Sequence, residues 1–421
     1  MDIFLGVVVG LLALMILVVA HEFGHFMMAR RNGVRVLEFG IGFPPRAIAW
    51  VKDPETKKWK RLPRSEWKKP QKGLIFSLNW LPIGGFCQMD GESDADERAG
   101  TFGKASFWRK TKILFGGVMM NWLVAFLVFT VLAWTGMPEF LDGQFTIASD
   151  TKYNDTPVEV VKVAENSPAA RAGFMAGDQI LKVGGEVAPT PDAVTKYNRE
   201  HAGGEAYYLV RREVGEPCET VDGVEDAPEI ENCTASPEEI ELVATLNNED
   251  AEYLLGISMS AVQRLGYSTW SAPIVGAGLT LQITGETFKG LGTMLWNLIS
   301  GTFSQLSFDA SVRDAGREAI SEVGDSVSGP VGIIGTLFPA FTAAGPTNLA
   351  FLAAIISVSL ACMNVLPIPA LDGGRWLLIA IYKIRRKKLT KEVEERIVSR
   401  AFMVLLTLML IVTVLDIIRL F

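Results

Sequence analysis

The sequence predicts an α-helical polytopic membrane protein: four transmembrane helices, a basic loop with β-structure on one side, and one α+β domain on the other. Two observations carry this expectation. Hydrophobic residues make up 49% of the 421 positions, yet four long stretches are almost purely apolar and the segments between them hold nearly all the charge. Such segregation belongs to a chain that crosses a bilayer several times, not to one soluble core.

The first apolar stretch runs from Ile3 to Ala20 without a charge, preceded only by Met1 and Asp2. A secretory signal would carry a basic n-region and a small-residue cleavage site. This stretch has neither and runs straight into His21-Glu22-Phe23-Gly24-His25, so it reads as a retained helix. The second spans residues 113–137, the third 349–366 with Asn364 inside it, and the fourth 401–415, continued by Ile417 and Ile418. Each can cross roughly 30 Å of hydrocarbon with some tilt. Residues 271–301 are less apolar and include Glu286 and Lys289, which reads as an amphipathic helix lying on the membrane. Residues 302–346 read as a polar connector.

Loop charge orients the spans. Residues 30–112 hold 18 Lys/Arg against 9 Asp/Glu, and 383–400 is basic again through Lys383, Arg385, Arg386, Lys387 and Lys388. By the positive-inside rule both lie in the cytoplasm, with both termini outside. Residues 136–271 hold 25 acidic against 9 basic side chains and fall outside. With a net charge of −7, nothing points to nucleic acid as a partner. Cys87 and Cys362 read as free thiols. Cys218 and Cys233 flank an acidic insertion on the oxidising side, where a disulfide and two free thiols are both open.

Residues 21–25 form H-E-x-x-H. On a helix, positions four apart share a face, so His21 and His25 can reach one zinc ion. Glu22 then stands beside it as a general base. Three ionisable groups in a span are costly without a compensating partner, and zinc is one. The alternative is a polar trio snorkelling at the membrane surface. The third histidine, His201, lies in the acidic external block and reads as a surface residue. A carboxylate or thiolate must therefore complete the site. In Asn364-Val365-Leu366-Pro367-Ile368-Pro369-Ala370-Leu371-Asp372-Gly373-Gly374, two prolines break a helix at membrane depth. The break brings Asp372 to the depth of the histidines, as third ligand or as a cap for the following helix. Asn364 is either interhelical glue or a group that holds the scissile carbonyl or its oxyanion.

Together these segments resemble the site-two protease family of intramembrane zinc metalloproteases, close to the bacterial regulator of sigma-E protease. The resemblance also rests on 29–34, Phe39-Gly40-Ile41-Gly42-Phe43, 81–86, Gly117-x-x-x-Asn121 and Ser328-Gly329-Pro330-Val331-Gly332-Ile333. It implies hydrolysis of single-span membrane proteins in or beside the bilayer, such as anti-sigma factors or remnant signal peptides, after an upstream site-one protease has shortened them. It implies His21, His25 and Asp372 as Zn2+ ligands, Glu22 as general base and Asn364 as a substrate-binding residue. It places the chain in a bacterial inner (plasma) membrane with its active site near the cytoplasmic side. It further implies membrane-associated β-hairpins after the first span, which 74–78 and 86–89, joined around Pro82 and Gly84-Gly85, would supply. Gly117 and Asn121 read as helix-packing residues.

Residues 145–262 resemble a PDZ domain of the bacterial, protease-associated type: a strand at 158–163, a capped short helix at 166–173, then a strand and Gly-Gly turn at 174–185. The acidic insertion 212–239 and the lack of a Gly-Leu-Gly-Phe-like loop favour a steric gate over a C-terminus receptor. A PDZ-bearing scaffold with a non-catalytic metal site is the competing reading. A metal transporter is disfavoured, since the other spans lack a path of carboxylates or histidines.

Overall fold

In a computed structural model the chain divides into two units, residues 1–151 with 267–421, and residues 152–266. The structure describes residues 2–67, 69, 71–141, 143–155, 157–187, 190–214, 236–248, 253–260, 264–305, 309–326 and 329–420. Cys218 and Cys233 lie outside these residues, as does most of the acidic insertion.

The first unit opens with α1 (Asp2–Arg31), followed by β1 (Val36–Lys52), β2 (Trp59–Arg61) and β3 (Ile75–Met89). Next come α2 (Phe107–Leu114), α3 (Gly116–Thr135) and β4 (Met137–Pro138). Among the described residues, four helices are long and apolar enough to cross a membrane: Phe4–Arg31, Phe107–Thr135, Pro346–Val365 and Lys391–Ile418. α1 and α3 cross at bare glycines, since a Cβ on Gly24 would stand 2.2 Å from the Gly116 carbonyl oxygen. Only glycine permits that approach.

The β-structure differs from the expected hairpin. Residues 74–78 and 86–89 do not pair with each other. Both belong to one long, bent β3, and residues 38–41 of β1 lie between its two halves (Phe39 opposite both Phe76 and Cys87). Residues 48–51 then pair with 75–78 from the other side, and β2 adds to Trp50–Lys52. Strand 36–52 was hard to foresee because Pro44-Pro45 interrupts its pattern. β-bulges bend the sheet around that point instead of ending it.

The second unit contains β5 (Lys152–Asp155), β6 (Val158–Val163), α4 (Pro168–Ala172), β7 (Gln179–Val183), β8 (Glu186–Val187), α5 (Pro191–Glu200), β9 (Glu205–Val214), β10 (Ser236–Thr245), β11 (Ile257–Met259) and all but the last residue of β12 (Arg264–Tyr267). Its main sheet runs β10-β9-β7-β6-β11, with β8 beside β7. Alternating positions Val158, Val160, Ile180, Tyr208, Val210 and Leu242 point into one core, closed by Val194 of α5. Ser167 caps α4 by accepting from the Ala170 amide, as its sequence signal required. Asp178 is fully buried and takes a two-pronged ion pair from Arg212, both contacts at 2.7 Å.

The chain returns to the first unit through α6 (Ala272–Ser304), α7 (Ala310–Ser326), α8 (Pro330–Gly332), α9 (Phe338–Ala343), α10 (Pro346–Val365), α11 (Asp372–Ile384) and α12 (Lys391–Leu420). The helix expected at 271–301 is present as α6. Its first turns are buried instead of being laid on a surface, with Val275, Leu279 and Ile283 packing among Ala125, Phe129, Phe351 and Val358. Asp150 accepts from the amides of Thr269 (2.8 Å) and Ser271 (3.0 Å) at the start of that helix. The connector 302–346 contains α7 to α9. Phe338 and Pro339 fit against Gly10 and Gly6 of α1, and the Asp416 carboxylate of α12 caps Gly329 and Gly332.

Candidate metal centre

α1 carries His21, Glu22 and His25 along one helical surface, and the Gly24–Gly116 crossing presses that surface onto α3. Both imidazoles are buried, His21 8% and His25 7% exposed. Their Nε2 atoms lie 3.1 Å apart. From the far end of the chain, Asp372 Oδ2 stands 3.1 Å from His21 Nε2 and 3.2 Å from His25 Nε2.

Asp372 arrives there because α10 stops at Val365, the Pro367-Pro369 segment turns, and α11 starts at Asp372 itself. A Cβ on Gly373 would fall 2.1 Å from the Val365 carbonyl oxygen, and one on Gly374 2.0 Å from that of Ile368. The fold-back therefore needs both glycines. The N-cap position of α11 is Leu371, and Asp372 is the first residue of the helix. The Asp372 carboxylate faces the imidazoles of His21 and His25.

This triangle can hold a metal. Tetrahedral donors at roughly 2.0–2.1 Å from zinc stand about 3.3 Å from one another, close to the 3.1–3.2 Å separations here. Among the described residues, His21, His25 and Asp372 form the one cluster of three such groups. His201, exposed, bonds through Nδ1 to the Tyr197 carbonyl and stacks on that ring.

The outer nitrogens are also engaged. His25 Nδ1 donates to the Ile113 carbonyl at the end of α2 (2.9 Å), which leaves Nε2 as the free lone pair. His21 Nδ1 faces the Asn121 amide at 3.4 Å. Asn121 is fully buried and its Oδ1 has no partner. Turning that amide by half a revolution lets Oδ1 accept the Nδ1 proton, fixing the tautomer that points Nε2 inward. Its own backbone carbonyl accepts from Ser357 Oγ of α10 (2.9 Å). Asn121 thus contacts a site histidine, a role its sequence pattern did not disclose. Gly117 was likewise read as a packing residue. An added Cβ there would lie 2.6 Å from His25 Nε2 and 2.7 Å from His21 Nε2.

Glu22 is half-buried beside the histidines, next to His21 on the same helix. Asn364 donates to the Leu360 carbonyl one turn back in its own helix (3.0 Å). Among the described residues it touches none of the three clustered side chains. Its carbonyl oxygen and second N–H remain available to another group. A cavity of about 830 Å³ adjoins Asp372 and is lined by Arg375, Glu394, Glu92 and Arg98.

The chain matches the model of peptidase family M50 over residues 9–63 and 61–409. It is 28% identical to a predicted zinc metalloprotease of Clostridium acetobutylicum, over 99% of this chain and 98% of that one. The zinc metalloprotease RasP of Bacillus licheniformis is 24% identical, covering 96% of this chain and 97% of its own. Rip1 of Mycolicibacterium smegmatis, also a zinc metalloprotease, is 25% identical over 90% and 86%. Joined to the His-His-Asp cluster, the match places this chain in peptidase family M50, the site-two protease family of zinc metalloproteases.

Proposed function

We propose that this zinc metalloprotease is an endopeptidase that cuts single-span membrane proteins within or beside their transmembrane segments, such as anti-sigma factors or remnant signal peptides. His21, His25 and Asp372 hold the metal and Glu22 is the general base. The observation that carries this reading is the three-donor triangle with a carboxylate beside it. Three protein donors leave a fourth tetrahedral position, whereas structural zinc sites are usually closed by four.

Zinc, when bound, supplies a Lewis acid for the scissile carbonyl. The rest falls to the chain. Glu22 takes a proton from the attacking water and delivers it to the leaving amine, a role suited to a half-buried carboxylate next to the donors. Asn364 offers its free carbonyl oxygen and second N–H to the substrate backbone. Residues 85–88 end the sheet beside α1, so an extended substrate could add there as a further strand.

In this reading the protein spans a bacterial inner membrane four times, with both termini outside and the metal near the cytoplasmic side. The basic segments 30–112 and 383–400 support that orientation. Residues 152–266 act as an external PDZ-like gate, a role that fits their antiparallel sheet flanked by α4 and α5. An upstream site-one protease would remove bulky external domains first.

The test is Glu22→Gln in the full chain, reconstituted with a single-span reporter. Cleavage should fall by at least about 10³-fold while zinc content stays at the wild-type level. Cleavage within tenfold of wild type would refute the assigned base.

A further inference from the structure

The chain between Arg30 and Leu74, following the first long apolar helix, builds a second, cationic cavity. It measures about 360 Å³ and draws Arg30 from the end of α1, Arg35 from the residue before β1, Lys52 from the end of β1, Lys57 from the turn after it and Lys72 from the entry to β3. Close backbone approach forces these charges together. The Lys52 amide donates to the Leu74 carbonyl at 2.8 Å, and a Cβ on Gly73 would lie 1.9 Å from the Lys52 carbonyl oxygen. Among the described residues lining the cavity the one carboxylate, Asp53, is committed to Lys60 at 2.9 Å and to the amides of Glu55 and Thr56. Arg35 is paired with Asp90. Arg30, Lys52, Lys57 and Lys72 have no carboxylate partner among the described residues. Like charges gathered in one cavity repel, and an anion seated among them reverses the sign of that interaction.

The surroundings identify the anion's carrier. The Arg30 guanidinium lies over the Phe26 ring at 5.4 Å and the Lys52 ammonium over Trp59 at 5.8 Å. Both rings belong to one aromatic cluster, with Phe76 5.1 Å from Trp59 and 5.8 Å from Phe26. Phe23 stacks on Phe26 at 5.7 Å, and the outer members of that cluster are open, Trp59 45% and Phe23 43% exposed. Exposed aromatics beside cations at the end of a span mark headgroup depth. We propose that this cavity binds the phosphate of an anionic phospholipid headgroup at the cytoplasmic face of the membrane, fixing the β1–β3 sheet against the bilayer. The proposal rests on the orientation given under the proposed function.

The test uses the full zinc-loaded chain in a neutral detergent, with short-chain phosphatidylglycerol, phosphatidylcholine of equal chain length and inorganic phosphate as separate arms. Bound adducts are counted by native mass spectrometry. One phosphatidylglycerol should bind at least tenfold more tightly than phosphatidylcholine. Lys52→Gln/Lys57→Gln/Lys72→Gln should abolish that preference. Lys58→Gln/Arg61→Gln/Lys69→Gln, which removes equal charge outside the cavity, should keep it. Equal binding of the two lipids, or equal loss in both triple variants, would overturn the site. Saturation by inorganic phosphate as tight as by the lipid would make it a free-anion site and overturn the lipid assignment. Reporter cleavage on the same preparation separates this from the protease reading. Lipid preference without cleavage supports the site alone, and cleavage without preference supports the protease alone.

Discussion

Gly117→Ala should empty the metal site without disturbing the helix that carries it. The added methyl would stand 2.6 Å from His21 Cε1 and His25 Nε2, about 0.8 Å inside the 3.4 Å at which ordinary contact begins. Neither ring can swing aside cheaply. His25 is held through Nδ1 by the Ile113 carbonyl, and His21 is backed by Asn121. Ligand distances in a metal site tolerate about 0.2 Å, so the displacement is roughly four times what coordination allows. Since losing an outer-sphere partner alone weakens metal binding by about 10–100-fold, moving the ligands themselves should cost at least about 100-fold. Alanine is the better helix former by about 1 kcal/mol, so loss of zinc could not be blamed on α3 unravelling. The assay is chelator competition on the purified chain, with Gly285→Ala as control because a Cβ there meets nothing within 4 Å. Wild-type zinc affinity in Gly117→Ala would refute the imidazole positions on which the site is built.

Three further outcomes follow from named contacts. Asn121→Ala should weaken zinc binding about 10–100-fold in the same competition assay, with Asn121→Asp, which keeps an acceptor for His21 Nδ1, recovering part of it. Arg212→Ala strips the fully buried Asp178 of its ion-pair partner and should destabilise the second unit by about 3–5 kcal/mol, read as a lower denaturant midpoint. Asp150 has its carboxyl pulled below the usual range by the Ser271 and Thr269 hydroxyls. Its contribution is therefore present above the unfolded value of about 4 and is lost as pH falls through the folded one. Thermal melts from pH 6 to 2 should show that acid loss in the wild type and a smaller one in Asp150→Asn.

What the sequence disclosed and what it hid divide along the range of the interactions. H-E-x-x-H is a one-turn pattern, and the Pro367-Pro369 break ends the preceding helix shortly before Asp372, so the three clustered donors could be named from local rules plus charge asymmetry. Asn121 and Gly117 meet the histidines only because α3 crosses α1 at Gly24 and Gly116, and a crossing point is a tertiary fact. The interleaving of β1 with both halves of β3 was hidden for a related reason. Bulges around Pro44-Pro45 break the two-residue alternation by which strands are recognised. Helices α7 to α9 escaped because residues 310–326 are largely polar and Phe338 is buried by glycines of α1 more than three hundred positions away.

The central claim is that His21, His25 and Asp372 share one zinc ion. Zinc-edge X-ray absorption on the reconstituted chain tests it most directly. The wild type should show nitrogen and oxygen neighbours at roughly 2.0–2.1 Å, and Asp372→Ala should lose an oxygen neighbour together with most of the bound metal. A sulfur shell near about 2.3 Å, or an unchanged spectrum and zinc content in Asp372→Ala, would contradict it.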